Sequence, residues 1–479
     1  TCRSLKEAMM TIEGAMGSAL NGITAFSNQV ASISENLANT STVGFKRVDT
    51  RFKDLLGGPE VSYKAPVSVR ATPIYRADAA GSVGHSDSPT SFAVSGGQGF
   101  VPVTETSYSS GVESLGTDVR YTRTADFEVD GNYFLVNSQG QALMAVKETG
   151  KFSNIFPATP TAADLVPVNR DPAVYGTLPG SPTTNMSMNV NFPASALAVP
   201  DPNDANTPGP AAGAGAYDQN LAISFFDSLG YAHTMNLTMR KVAANGDVDA
   251  NGNATSNTWN VIDAEIVGPQ GSGNIAVPHV DKNGANLSVS FDGNGRLSGN
   301  AKLAFSMPGV ADTLPDGTTT TSGPTTLNLD FGTPNLNSTQ FSGQAIEIRG
   351  YQDWDGHAPG NFSSASIDNI GNVVFKYSNG MTMTPYRIPL ATFRNPNLLD
   401  RITGTTFGAN PTLAGDPTYS WSGGTSNSGT IAPNSKESSN VDVATELTQM
   451  ITAQRAYSSN AKVISTGDQM IETAIGMKT

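Results

Sequence analysis

From Met16 the apolar positions recur at alternating spacings of three and four, as Met16, Ala19, Ile23, Phe26, Val30, Ile33 and Leu37. That is the a/d stripe of a coiled-coil seam, and the intervening Ser18, Asn21, Ser27, Gln29 and Ser34 leave only one face to bury. Asn39, Thr40, Ser41 and Thr42 then end the helix, and Gly44 permits a turn. A second stripe occupies the far end: Leu447, Met450, Gln454, Tyr457, Ala461, Ile464, Asp468, Ile471 and Ile475. Its helix is predicted to begin near Asp442, with Asn440 or Asp442 as cap and Glu446 in the early turns, where the helix dipole favours an anion. Gln454 and Asp468 place polar groups in that seam. Two narrow stripes with so little aliphatic bulk have little apolar area to bury against each other. The ends are therefore expected to gain order from neighbouring copies, the alternative being a helical hairpin that closes a domain.

Between these ends the period changes to two. Short strands are predicted at 91–94, 100–103, 119–121, 127–129 and 133–136, with turns at Gly96-Gly97 and Asp130-Gly131-Asn132. A second β block contains 364–367, 372–377 and 387–393, with a hairpin turn at Ser378-Asn379-Gly380. The middle region alternates at 221–226, 233–239, 259–266 and 287–291 and reads as an inserted β-sandwich or barrel. The stretch 200–216, rich in Pro, Gly, Ala and Asn, reads as a surface loop. No internal repeat of fixed period is visible.

Composition narrows the class. With 479 residues, 49 Gly, 29 Pro and only 14% charged residues, the chain suits several domains built mainly from short strands and turns. A formal charge of −13 opposes binding to a phosphate backbone, so no nucleic-acid partner is expected. The short basic run Lys46, Arg47, Arg51, Lys53 reads as a solvated segment. A single cysteine, Cys2, rules out an intrachain disulfide framework. No apolar run reaches about twenty residues, so no membrane insertion is expected. The N-terminal stripe is interrupted by Asn21, Asn28, Gln29 and Glu35, unlike a cleaved signal peptide, and residues 1–9 read as an upstream extension or an added remnant, with Met9 or Met10 as the natural start.

Candidate chemistry is thin. His85, His233, His279 and His357 are scattered and adjoin no carboxylate pair at ligand spacing. Asp247, Asp249, Asn251 and Gly252 copy the first half of a calcium loop, but Thr258 stands where a bidentate carboxylate would close it, so a polar hairpin turn is the better reading. No nucleophile elbow or phosphate loop is present. The sequence predicts no enzyme, no cofactor and no metal.

Three separated stretches resemble, in order, the axial rod and hook proteins of the bacterial flagellum. "SALNGITAFSNQVASISENLANTSTVGFKR" is similar to that family's N-terminal helix and the motif after it, here Asn36, Asn39, Thr42, Gly44, Phe45 and Lys46. "SFAVSGGQGFVPV" and "YTRTADFEVDGNYFLVNSQGQAL" look like its core β motif, with Gly97-Gln98 replacing the more usual Asn-Gly and leaving that turn open. "ESSNVDVATELTQMITAQRAYSSNAKVISTGDQMIETAI" resembles its C-terminal helix. "FFDSLGYAHTMNLTM" and "SIDNIGNVVFKYSNG" are similar to stretches of the extra domain that hook subunits insert, and of the return from it.

The resemblance implies a multidomain, mainly β fold in which an outer β domain is inserted into an inner one and the terminal α-helices form a coiled-coil-like inner core. The expected divisions are the N-terminal helix 10–43, a linker 44–60, the inner β domain 61–149 and 351–435, the inserted domain 150–350, and the C-terminal helix 436–479. It also implies a structural hook subunit: a self-polymerising chain forming a flexible curved tube that passes motor torque to the filament, outside the cell and exported without a cleaved signal. The implied partners are the distal rod protein, the hook cap protein, the hook–filament junction protein and the flagellar export apparatus. The expected assembly interface comprises Met16, Ile23, Phe26, Val30, Ile33, Leu37, Asn36, Asn39, Gly44 and Phe45 with Leu447, Met450, Gln454, Arg455, Tyr457, Ile464 and Ile471. A distal-rod or junction subunit is the alternative within the family, and a β-rich adhesin or enzyme the alternative outside it.

Overall fold

In the computed structural model the chain is described at residues 2–55, 68–109, 112–116, 118–150, 154–196, 199–200, 218–243, 257–267, 275–278, 287–298, 302–307, 309, 311–313, 319–332, 338–343, 345–424 and 427–476. It is mainly β, with three α-helices among the described residues: α1 (Cys2–Ala38), α2 (Pro172–Tyr175) and α3 (Val443–Gly476). The incomplete calcium loop, His279 and nearly all of the 200–216 stretch lie outside the described residues.

The chain divides into two compact units: residues 1–176, 363–376 and 382–479 form one, and 177–362 with 377–381 form the other. In the first, β1 (Val48–Leu55) and β2 (Ser68–Tyr75) make an eight-pair antiparallel ladder from Val48↔Tyr75 to Leu55↔Ser68. α1 lies against this ribbon, with Phe26 and Phe52 at a ring separation of 5.5 Å. The main sheet of this unit joins Val101–Ser109 to Gln141–Lys147 and to Arg120–Thr122, which pairs in turn with Thr406–Gly408. Its aromatic core sets Phe100 against Phe393 and Phe407, and Tyr121 edge-on to Phe393 at 4.8 Å. The single strand predicted over 387–393 is two, Thr382–Arg387 and Leu390–Thr392. Pro389 explains the break, since it has no N–H to donate to a ladder.

The second unit is a sandwich. One sheet is built on Asn185–Pro193, which runs parallel to Thr325–Asp330 and Thr339–Phe341 and antiparallel to Glu347–Trp354. The other is built on Ala232–Ala243 between Asp218–Phe226 and Thr258–Val267. Alternation dictates this arrangement: in Asp218–Phe226, Leu221, Ile223 and Phe225 point inward while Asn220, Ala222 and Ser224 face out. The two inner faces share one apolar core in which Phe192, Trp259, Phe305 and Leu327 are fully buried.

One turn is used repeatedly. In Asp130–Phe134, Asp227–Tyr231, Asp292–Arg296 and Asp368–Asn372, the carboxylate Oδ1 of the first residue accepts from the backbone N–H groups two and four residues on. Asn137–Gln141 does the same through its amide oxygen. The fourth residue is left-handed each time, as Tyr133 (φ 68), Gly140 (75), Gly230 (83), Gly295 (75) and Gly371 (88). Glycine accepts that conformation without steric cost, and Tyr133 alone adopts it with a side chain.

Candidate assembly interface

α1 and α3 pack along their lengths. Small residues permit the approach: Ala19 and Ala25 on α1 and Ala453 and Gly467 on α3 are buried. A Cβ at Gly22 would stand 2.9 Å from Nδ2 of Asn460, so a side chain here would have to displace the Asn460 amide. The buried and half-buried stripe of α3 runs through Glu446, Met450, Ala453, Asn460, Ile464, Gly467 and Ile471. It shares Met450, Ile464 and Ile471 with the predicted seam but is turned about the helix axis, so Gln454 and Asp468 are exposed instead of lying in it. A heptad pattern identifies a stripe, and neighbouring stripes on one helix satisfy nearly the same spacing.

Apolar residues the intramolecular contact does not use remain on the outside of α3. Leu447 (47% exposed), Ile451 (52%) and Met470 (52%) are examples, and Leu20 of α1 is 59% exposed. Tyr457 and Arg455 are also exposed, whereas Met16, Ile23, Phe26, Val30 and Leu37 are half-buried and Ile33 is buried. Near the far ends of the helices, Ala15, Met16, Val463, Gly467 and Met470 line a groove of about 470 Å³.

The motif after α1 does something different from the stripe. Asn36 is buried, and its amide takes both backbone groups of Val48: Nδ2 donates to the carbonyl at 2.9 Å and Oδ1 accepts from the N–H at 2.8 Å. The same Nδ2 donates to Oε2 of Glu446 at 3.1 Å, so one side chain ties α1, β1 and α3 together. Asn39 donates to the carbonyl of Glu35 and accepts from the Thr42 hydroxyl, closing the end of α1. Gly44 is left-handed at φ 71 and sits so close to the chain that a Cβ would lie 2.7 Å from the Thr124 nitrogen. Phe45 is fully buried, with the Arg401 guanidinium 5.5 Å above its ring.

Lys46 is 2% exposed, which corrects the reading of this one residue as solvated, whereas Arg51 and Lys53 of the same run are exposed as expected. Its ammonium donates to Oε1 of Glu437 at 2.6 Å and to the Ala79 carbonyl at 2.7 Å. Arg123, 1% exposed, reaches Oε2 of the same glutamate at 3.2 Å and the Gly97 carbonyl at 2.9 Å. That last bond also fixes the turn at Gly97-Gln98, where Gln98 donates to the Asn427 carbonyl. Asp442, not Asn440, caps α3 by accepting from the Thr445 N–H at 2.7 Å, and this bond holds its carboxyl below the usual range. Asn440 instead accepts from the Arg47 N–H and donates to the carbonyls of Arg76 and Ala79. Burial pushes the Glu446 carboxyl up, against the hydrogen bond from Asn36.

Sequence reasoning missed Arg123 and Glu437. The available signal was an arginine inside the otherwise uncharged Tyr121-Thr122-Arg123-Thr124 stretch, and a glutamate just before the C-terminal helix. Among the described residues no group of three or more His, Cys, Asp or Glu is arranged to hold a metal ion, and no helix is long and apolar enough to cross a membrane.

Two family profiles match the chain. One, described as "Flagellar basal body rod FlgEFG protein C-terminal", covers residues 433–477, and the other, "Flagellar basal body protein FlaE D2 domain", covers 191–357. Similarity to curated proteins extends over almost the whole chain. "Flagellar hook protein FlgE" of Escherichia coli (strain K12) is 29% identical over 470 residues, covering 97% of this chain and 100% of that protein. The protein of the same name from Brucella suis is 28% identical over 473 residues, covering 98% and 100%. That of Salmonella typhimurium is 27% identical over 465 residues, covering 96% and 99%. A crystal structure of the Helicobacter pylori flagellar hook protein FlgE2 aligns with a TM-score of 0.43 at 14% identity, covering 74% of this chain and 99% of that one.

Proposed function

We propose that this chain, a member of the flagellar hook protein family, is a structural subunit of the bacterial flagellar hook and polymerises through its terminal helices into a curved, flexible tube. The observation that carries the interface is the apolar stripe left on α3 beside its contact with α1. Leu447 and Ile451 stand a turn apart with about half their surface in water, a cost that a neighbouring copy would relieve by covering them. The groove beside Met16 and Met470 offers such a copy a recess of matching polarity. Polar, glycine-rich outer surfaces suit contacts that slide as the tube bends, because they bury less apolar area than an obligate interface. On this reading the subunit is exported without a cleaved signal, and its other partners are the distal rod protein, the hook cap protein, the hook–filament junction protein and the export apparatus.

The test is Ile451→Asp. An aspartate there is solvated in the monomer, so the melting curve of the free chain should be unchanged. In the polymer it would be a buried, unpaired charge costing several kcal/mol, roughly enough to abolish tube formation. Negative-stain microscopy reads the outcome, and normal tubes from the variant would remove α3's outer stripe from the interface. The shape of wild-type tubes separates the alternatives, curved for a hook and straight for a rod.

A further inference from the structure

Three segments of one unit converge on the buried carboxylate of Glu437, just before α3: 44–46 after α1, 79–81 after β2, and Arg123 after Arg120–Thr122. Glu437 Oε1 accepts from Lys46 Nζ and from the Gly81 N–H at 2.8 Å, its Oε2 accepts from Arg123, and its backbone carbonyl accepts from the Gly44 N–H at 2.8 Å. Neither interior cation nor the glutamate is more than 2% exposed. Two cations therefore share one anion, and the Nε of Arg123 is buried without a hydrogen-bond partner. Such a cluster is well ordered but carries a surplus buried charge, which low-polarity surroundings penalise.

We propose that this unbalanced cluster is a pH-responsive latch, holding the segments that lead into the terminal helices more firmly in mildly alkaline solution than in neutral. Burial first, and then repulsion from Arg123, push the Lys46 ammonium down from 10.5 to about 8, with Glu437 and Asp78 offsetting only part of this. The charged groups facing it are Glu437 from the segment before α3, Arg123 from the loop after Arg120–Thr122, and Asp78 from the segment after β2. Asp78 is itself paired with Arg76 and held below the usual carboxylate range. Burial pushes the Arg123 guanidinium down as well, but a guanidinium keeps its proton in proteins and the carboxylates are ionised throughout mildly alkaline solution, so Lys46 is the member of the cluster that titrates there.

The direction follows from proton counting. In the released chain Lys46 keeps its proton up to about 10.5, whereas in the docked chain it loses it near 8. Between those values the released state binds more protons, so the docked state gains as pH rises and loses that gain as pH falls towards 7. Above about pH 10 the buried phenols of Tyr121 and Tyr419, whose pKa values are raised by burial, act in the opposite sense. The usable window therefore ends near 9.5.

Hydrogen exchange on the full chain tests this from pH 7 to 9.5, after correction for intrinsic exchange rates. Protection at the backbone amides of Phe45–Val48 should rise above pH 8 by as much as about tenfold per unit. Amides of the sandwich strands, where burial also lowers the Lys241 ammonium, report any rise that does not come from Lys46, and the Lys46 substitutions should leave them unchanged. Lys46→Met, which leaves an Arg123–Glu437 pair of balanced charge, should abolish the rise, and Lys46→Arg, whose charge is permanent, should abolish it too. A flat or falling profile in the wild-type chain, or an undiminished rise in whichever of the two variants folds, would overturn the latch. Polymerisation plays no part in the measurement.

Discussion

The sandwich core and the junction at Glu437 solve the same problem, fixing one arrangement of chain, by opposite means. The sandwich does it with volume: Phe192, Trp259, Phe305 and Leu327 pack in one apolar cluster, and Phe192 meets three aromatic rings with centroids within 6.0 Å. The junction does it with directed bonds, in which Asn36, Lys46, Arg123, Glu437 and Asn440 each satisfy named backbone groups or one another. An apolar core tolerates a neighbour of similar volume, whereas a buried polar cluster fails when it loses the member whose charge the others need. The difference predicts that single substitutions will be graded in the first region and abrupt in the second.

The largest effect is expected at the junction. Glu437→Gln removes the anion between two buried cations and should cost about 3–5 kcal/mol in the unit that contains the helices. Lys46→Met, by contrast, restores charge balance and should cost no more than about 1–2 kcal/mol for its lost hydrogen bonds. Denaturant unfolding of both variants measures the gap, and equal losses would mean that the charges act only as space-filling groups. Next comes the sandwich. Leu327→Ala opens a cavity at a fully buried site and should cost roughly 2–5 kcal/mol, with Leu327→Met held under about 1.5. If the methionine were as damaging as the alanine, the core would be as exacting as the junction and the contrast would fail.

The two regions also differ in how far they could be read in advance. Alternation at 221–226 is a direct consequence of a two-sided strand and made one sheet of the sandwich legible from period, although 259–266 changes phase at a bulge beside Ile262, and the other sheet, built on Asn185–Pro193, was not read from the sequence. The terminal helices were legible from their heptads, but which stripe of α3 meets α1 was not. That choice depends on Gly22, Ala453 and Gly467 letting the backbones approach, which is a property of the pair and not of either helix. At the junction, Asn36, Gly44, Phe45 and Lys46 stood out as a motif, yet their partners are 391 residues away in the case of Lys46 and Glu437. Local pattern carries no information about such a pairing, and the basic run looked like any solvated stretch. Pro389 is an intermediate case: its missing N–H was in view, and the strand drawn across it ignored what proline does.

The recurrent five-residue turn gives the finest comparison, because the same local conformation occurs in both units with different surroundings. At Gly140 (φ 75) an added Cβ would meet nothing within 4 Å. At Gly230 (φ 83) it would stand 2.7 Å from the Gly180 Cα and 2.8 Å from the Pro359 Cδ. Backbone strain is therefore shared, at about 1 kcal/mol for a left-handed alanine, while the clash belongs to Gly230 alone. Gly140→Ala should cost about 1 kcal/mol, and Tyr133 shows that the turn survives a side chain at this position. Gly230→Ala should cost clearly more, because backbone and a proline ring must move to admit the methyl group. Unfolding midpoints of the two variants, compared at equal denaturant slope, decide the matter. Equal small losses would mean that the close approach around Gly230 is loose, and that turns in the sandwich unit are held by their own hydrogen bonds just as Asn137 holds Gly140.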